Sequence, residues 1–299
     1  MPDLGYPDAR AVEAAIKAAA KSAHDADPTR QTGDLIRQAY YDRFLCRVFS
    51  DADASEWVLK GGTGMLARIP TARRTLDADL YRASYDKDQA LDDLRRLAEF
   101  DLGDHFRFVY REHHEILADD SQPYTDGYRV TFDAYLGVKL VDTIKVDLSV
   151  GTLPTDSFEV EEPANRLRLP RLVSFPYRLY PITNQIADKV CATIADYRGR
   201  PSSREKDLVD LVVIAVTHHV DAATLRQAIT SECAKRRLQF PGQFTIPAHW
   251  GAAYAKLAKN TPAQRYPINA ARALLRDFID PVLTGRATGI WHPQTRVWR

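Results

Sequence analysis

No stretch of this chain approaches the roughly 20 consecutive apolar residues that a membrane-spanning helix needs. The first residues, Met1-Pro2-Asp3-Leu4-Gly5, lack the basic-then-apolar pattern of a secretion leader, so a cytoplasmic location is expected. Cysteine is scarce. Cys46, Cys191 and Cys233 are odd in number, far apart and free of Cys-x-x-Cys spacing, which argues against a disulfide framework or a zinc site. Neither sign of charge is in excess: 41 Lys and Arg stand against 40 Asp and Glu, so any nucleic-acid contact must be a local patch rather than a whole-molecule field. Several catalytic signatures are missing as well. There is no Gly-x-Ser-x-Gly and no Gly-x-x-x-x-Gly-Lys-Ser/Thr, and His113-His114 and His218-His219 are adjacent pairs without the i, i+4 spacing of a zinc hydrolase. No internal repeat and no low-complexity tract is present.

With 299 residues, 45% of them hydrophobic and 27% charged, the chain can fill two packed lobes. Apolar periodicity predicts helices over 8–25 and from Thr32-Gly33-Asp34 through Val48, and another from Asp86 to Phe100. Alternation predicts strands near Phe106 to Arg111, Tyr128 to Tyr135 and Thr143 to Val150. The proline-bearing stretch from Gly151 to Pro181 reads as an irregular crossover. Beyond it the pattern is helical over Ile182 to Ala195, Arg204 to His218 (with Pro201-Ser202-Ser203 as its start signal), Ala222 to Lys235, Pro247 to Lys259 and Asn269 to Val282. Gly285 to Arg299 reads as an extended tail that Trp291 and Trp298 pin down. The expected fold is therefore α/β (α+β) and bi-lobed: a mixed-sheet lobe over 1–175 and a helical lobe over 176–299.

The richest segment is Leu59-Lys60-Gly61-Gly62-Thr63 followed by Arg74-Thr75-Leu76-Asp77-Ala78-Asp79-Leu80. Val58 and Leu59 end a buried strand, Gly61-Gly62 is a turn on which a triphosphate can approach the backbone, and Thr63 to Ile69 is a short helix. In the strand Thr75 to Tyr81, Asp77 and Asp79 share one face, away from Leu76, Ala78 and Leu80. Two hard-oxygen ligands beside a phosphate-binding turn suit Mg²⁺-assisted phosphoryl-group chemistry, because a divalent cation neutralises charge on the attacking and leaving oxygens. Asp147, in the alternating strand Lys145-Val146-Asp147-Leu148-Ser149-Val150, is a third carboxylate that converges on the pair if the two strands are neighbours.

A second constellation lies downstream. Lys189 falls on one predicted helix, and Asp207 and Asp210, three apart and so on one face, open the next. The lysine and the carboxylates either reach the triphosphate from the opposite wall of a cleft or bridge the two helices as an ion pair. Basic clusters occur at Arg68, Arg73, Arg74 and Arg82, at Arg166, Arg168, Arg171 and Arg178, and at Lys235-Arg236-Arg237. The first flanks the motif and supplies candidate RNA contacts in Arg73 and Arg82. The aromatic residues Tyr124, Tyr128, Phe132 and Tyr135 suit a strand core better than base stacking.

The order of these motifs resembles the AbiEii/MenT-type nucleotidyltransferase toxins of bacterial toxin–antitoxin systems, within the DNA polymerase β-like superfamily. The resemblance lies in Lys60-Gly61-Gly62-Thr63, Arg74-Thr75-Leu76-Asp77-Ala78-Asp79, Lys145-Val146-Asp147, and Lys189 followed by Arg204-x-Lys206-Asp207-x-x-Asp210-Leu211. It implies Mg²⁺-dependent transfer of a nucleoside monophosphate from a triphosphate, CTP or UTP, onto the 3′ end of tRNA, and a cognate antitoxin as partner. Asp77, Asp79 and Asp147 would then form the metal and catalytic set, Asp147 also serving as base. Lys60, Gly61, Gly62 and Thr63 would hold phosphates. Lys189 would neutralise the triphosphate and Asp210 would orient that lysine or the nucleotide, both belonging to the catalytic set, with Asp207 beside them in the nucleotide site. Thr75 occupies the place where similar toxins carry a hydroxyl that an antitoxin phosphorylates. A small-molecule or protein hydroxyl as acceptor, or a non-catalytic binding module of the same fold, remain the alternatives.

Overall fold

The computed structural model describes residues 5–51, 55–75, 77–116, 126–195 and 204–299. Leu76, Tyr124 and the start signal Pro201-Ser202-Ser203 lie outside the described residues.

Helix α1 (Ala9–Ala26) starts at Asp8, whose carboxylate accepts the Ala11 N–H at 2.8 Å, and it buries Val12, Ile16 and Ala20, one per turn. Helix α2 (Thr32–Val48) is amphipathic at first, then buried on every side from Ala39 to Val48. Its arginines are tolerated there because they are neutralised in place: Arg43 and Arg47 meet the carboxylate of Asp104 at 2.8 and 2.7 Å.

These helices, with α4 (Lys87–Ala98), pack with a sheet built from β1 (Trp57–Lys60), β2 (Ala78–Ala83), β3 (Phe106–Glu115), β4 (Asp126–Leu136), β5 (Lys139–Gly151), β6 (Glu159–Glu161) and β7 (Tyr177–Leu179). The strand order is β3-β4-β5-β2-β1-β7-β6. The sheet is mixed: β2 runs parallel to β5 and β1 parallel to β7, the remaining pairs being antiparallel. Tyr128 and Phe132 are buried in the core as their alternation predicts, whereas Tyr135 is half-exposed beneath the Arg107 guanidinium, 4.8 Å from its ring.

Two expectations change. The stretch from Gly151 to Pro181 is not merely a crossover, because it supplies β6 and β7, and the pairing of Leu59 with Leu179 joins them to the sheet. The C-terminal segment is pinned by its tryptophans as expected, but it is a hairpin rather than an extended tail. In it β9 (Ile290–His292) and β10 (Val297–Trp298) join β8 (Val220–Asp221) in a three-stranded sheet. Trp291 is fully buried and donates its indole N–H to the Ala215 carbonyl at 2.7 Å, and Trp298 stacks on Phe278.

The second lobe otherwise consists of α5 (Ile182–Ile194), α6 (Glu205–Thr217), α7 (Ala222–Lys235), α8 (Gly251–Ala258) and α9 (Ile268–Leu283). Its core also takes in Met65, Ile69 and Ala72, from α3 (Gly61–Arg68) and the loop after it. The motif-bearing helix is thus rooted in the second lobe while its N-terminus extends the first lobe's sheet. Among the described residues, no helix is long and apolar enough to cross a membrane.

Candidate active site

Strand pairing aligns the charged residues. Lys60 on β1 is the register partner of Asp79 on β2, Asp79 of Asp147 on β5, and Asp147 of Arg129 on β4. Register partners in neighbouring strands project to the same face, so a basic–acidic–acidic–basic row crosses four strands at one level. Its centre is electrostatically crowded. Burial, followed by the charges of Asp77 and Asp147, pushes the Asp79 carboxyl up to about 6, against the opposing pull of Lys60 and Lys206.

Asp77 lies just outside β2, which begins at Ala78 rather than at Thr75. Two threonines fix it. Thr63 donates its hydroxyl to the Asp77 carbonyl at 2.5 Å, and Thr75 donates to the Asp77 carboxylate at 2.7 Å. The Thr63 hydroxyl is directed at Asp77 and its side chain does not line the cleft, so of this residue only the backbone N–H, in the first turn of α3, is left for a phosphate.

The Gly-Gly pair is the first turn of α3 rather than a turn before it. Gly61 has φ +60°, and a Cβ there would lie 1.9 Å from an Asp79 carboxylate oxygen, so only glycine permits both the backbone and the carboxylate. No side chain caps this helix, which leaves N–H groups at its N-terminus available to an anion. Gln185, on α5, donates to the Gly61 carbonyl at 3.0 Å and ties the turn to the second lobe.

Together these residues line a cleft of about 460 Å³ that also presents Lys189, Arg204, Lys206 and Asp207 from the helical lobe. Behind that wall is a buried network. Lys189 Nζ meets Asp207 at 3.0 Å and Asp210 at 2.7 Å, Arg204 holds the other oxygen of Asp207 at 2.5 Å, and Arg73 holds Asp210 at 3.0 Å. Lys189 is held above its ordinary value by those two carboxylates despite burial, and Asp207 is held well below its own by Lys189 and Arg204 despite burial. Lys189 therefore stays charged at the cleft wall. Asp210 is completely buried, absent from the lining, and bonded to both Lys189 and Arg73.

Further round the cleft, Arg236 joins Glu232 at 2.5 Å and approaches Asp188, whose carboxyl is raised by burial and by Glu232. Lys206, Gln185, Arg129, Asp188 and Glu232 were given no role from sequence. A signal existed for Gln185, which lies one helical turn before Lys189.

Two expectations about the site are corrected. Arg82 does not face the cleft; it lies on the other side of β2, buried between Trp57 and Tyr85 and ion-paired with Asp93 and Glu56. β2 and β5 are neighbours as expected, but the three carboxylates do not close together. Arg129 grips both oxygens of Asp147 at 2.8 and 3.1 Å, and among the described residues no three His, Cys, Asp or Glu side chains surround a common metal-sized point. Asp77 and Asp79 still suit a hard divalent cation. Mg²⁺ commonly takes one or two carboxylates together with substrate phosphates, and the raised Asp79 marks a place short of positive charge.

Comparison with known proteins supplies an independent line. The profile of the family described as Nucleotidyl transferase AbiEii toxin, Type IV TA system, matches residues 43–288. No curated protein matches the chain. Among solved structures, MenT4, a nucleotidyltransferase toxin from Mycobacterium tuberculosis H37Rv, is 14% identical with a TM-score of 0.47, the match covering 85% of this chain and 93% of that one. JHP933 from Helicobacter pylori is 15% identical with a TM-score of 0.41, over 83% of this chain and 93% of that one.

Proposed function

The chain belongs to the AbiEii nucleotidyltransferase toxin family of type IV toxin–antitoxin systems, and on that premise we propose that its cleft transfers a nucleoside monophosphate from CTP or UTP to the 3′ end of tRNA. The observation that carries the chemistry is the approach of the Gly61 turn to Asp79, which places an uncapped helix N-terminus against a carboxylate pair. The pyrimidine preference and the tRNA acceptor rest on the resemblance to MenT-type toxins.

In this reading the triphosphate lies along the α3 N-terminus, with Lys60, Lys189 and Lys206 opposing its charge. Asp77 and Asp79 would hold Mg²⁺, which when bound would offset the charge on the phosphate oxygens. The acceptor hydroxyl oxygen forms a bond to the α-phosphorus as the bond from that phosphorus to the bridging oxygen breaks. Pyrophosphate carries away the electron pair. Asp147, beside Asp79 but outside the cation pair, takes the hydroxyl proton; its Arg129 partner is 60% exposed and readily displaced into water.

Regulation by the antitoxin fits the same geometry. A phosphate on Thr75 would remove the hydroxyl that holds Asp77 and add about two negative charges to an already acidic edge.

Incubating the protein with Mg²⁺, each α-labelled nucleoside triphosphate, and either total tRNA or cell lysate tests the proposal. Label from CTP or UTP on tRNA 3′ ends is expected. Label on protein or on a small molecule would move the acceptor elsewhere, and no labelled product with any triphosphate would remove the proposal.

A further inference from the structure

A second cavity, of about 310 Å³, backs onto the cleft and shares Arg73, Thr75 and Asp77 with it. Both lobes build it, from the first half of α2, the 70–75 loop and the turn that follows α8. The triphosphate site makes no use of it. Its size falls at the lower end of small-molecule sites, roughly 300–1,000 Å³.

The lining has the chemistry of a nucleotide pocket. Leu35 and Leu66 offer an apolar wall for a flat ring, while Asn260 brings an amide that both donates and accepts, and Gln38, whose N–H₂ donates to the Asn165 carbonyl at 2.6 Å, brings a second amide with an accepting oxygen. Five basic side chains face three acidic ones. Most of those arginines are already matched: Arg73 by Asp210, Arg74 by Asp34 at 2.7 Å, and Arg37 by Asp142 at 3.1 Å. Lys259 forms no ion pair among the described residues, Arg30 is offset only by the nearby Asp27 carboxylate, and no side chain caps α2, which adds to the positive potential at the rim.

Displacement at the α-phosphorus requires the incoming oxygen to approach opposite the leaving pyrophosphate. A transferase of this kind therefore needs a second seat across the catalytic carboxylates from its triphosphate. We infer that the 310 Å³ cavity receives the terminal nucleotide of the acceptor, its base against Leu35 and Leu66, its phosphate toward Arg30 and Lys259, and its hydroxyl directed past Asp77. The inference rests on the transferase reading and assigns that reaction's acceptor a place. The same chemistry would take a free nucleoside monophosphate or the end of an RNA; the shared seat between two lobes and the open basic rim favour the polynucleotide end.

Steady-state transfer by the full-length chain, with total tRNA and a mixture of the four nucleoside monophosphates as separate acceptors, tests it. In the Arg30→Ala/Lys259→Ala double variant, the KM for whichever acceptor takes label is expected to rise about tenfold or more, with the KM for the triphosphate and the thermal midpoint unchanged. Label on tRNA would identify the polynucleotide end, and label on a monophosphate the free nucleotide. An unchanged acceptor KM, an equal rise in the triphosphate KM, or no label on either acceptor would overturn the inference. Triphosphate binding to wild type and to Asp79→Asn, measured alongside, separates the two failures: if binding depends on Asp79, the transferase reading survives the loss of the acceptor seat.

Discussion

Replacing Gly61 by alanine would probe the closest approach in the site. The added Cβ would lie 1.9 Å from one Asp79 oxygen and 2.4 Å from its carboxyl carbon. Ordinary contact is about 3.5 Å, so Asp79 or the α3 N-terminus must retreat by roughly 1.5 Å. A misplacement of about 1 Å at reacting groups costs on the order of a hundredfold in rate, so a loss of at least that size is expected. Holding alanine at the left-handed φ of residue 61 costs about 1–2 kcal/mol, which lowers the melting midpoint by only a few degrees. Gly62→Ala is the control, because its Cβ would meet the Thr75 side chain at 3.0 Å, where a small shift relieves the contact. Single-turnover label transfer at saturating triphosphate, run beside thermal melting, separates the effects. A folded Gly61→Ala protein with a transfer rate within a few-fold of wild type would refute the reasoning.

Lys189→Met is expected to destabilise the fold as well as slow transfer. It strands Asp207 and Asp210 with only Arg204 and Arg73 to match them, costing roughly 3 kcal/mol in denaturant unfolding, and adding Asp210→Asn should recover part of that stability but not the rate. Arg82→Ala should lower stability by about 1–3 kcal/mol, through loss of its ion pairs and its packing between Trp57 and Tyr85, while the salt dependence of tRNA binding stays as in wild type. Asp79 sets a pH dependence for the metal-free protein. Its folded value, about 6, lies above the ordinary 3.8, so its contribution is fully present below 3.8 and is lost as pH rises through about 6. That loss is on the order of 2–3 kcal/mol. With chelator the melting midpoint should therefore fall between about pH 4 and about pH 6.5, Mg²⁺ should restore it at the upper end of that window, and Asp79→Asn should remove the part of the fall that Asp79 contributes.

The residues legible in sequence were those whose geometry is set locally. Asp79 was found because strand alternation is a two-residue rule, and Gly61-Gly62 because a close backbone approach demands glycine. The α7 limits, Ala222 to Lys235, follow from the Asp221 cap and the apolar spacing after it. What stayed hidden depends on pairings distant in sequence. Arg129 neutralises Asp147 only because β4 and β5 align in one particular register. Arg82 looks like a cleft arginine until α4 brings Asp93 against the far face of β2. The two-residue β8 has too few residues to show any period, so the partner of the C-terminal hairpin was invisible. From sequence alone Lys189 suits either a phosphate ligand or an ion-pair partner. The structure shows the ion pairs and leaves the lysine on the cleft wall, so the ion pairs do not take it out of reach of a bound phosphate.

We propose Asp77 and Asp79 as the catalytic edge of the nucleotidyltransferase cleft. The most direct test is a single-turnover measurement of pyrophosphate release and labelled product with Mg²⁺, triphosphate and tRNA, comparing wild type with Asp77→Ala and Asp79→Asn proteins of verified fold. Wild type should release one pyrophosphate per nucleotide transferred, and both variants should lose transfer by at least about a thousandfold. Equal transfer by either folded variant would contradict the account.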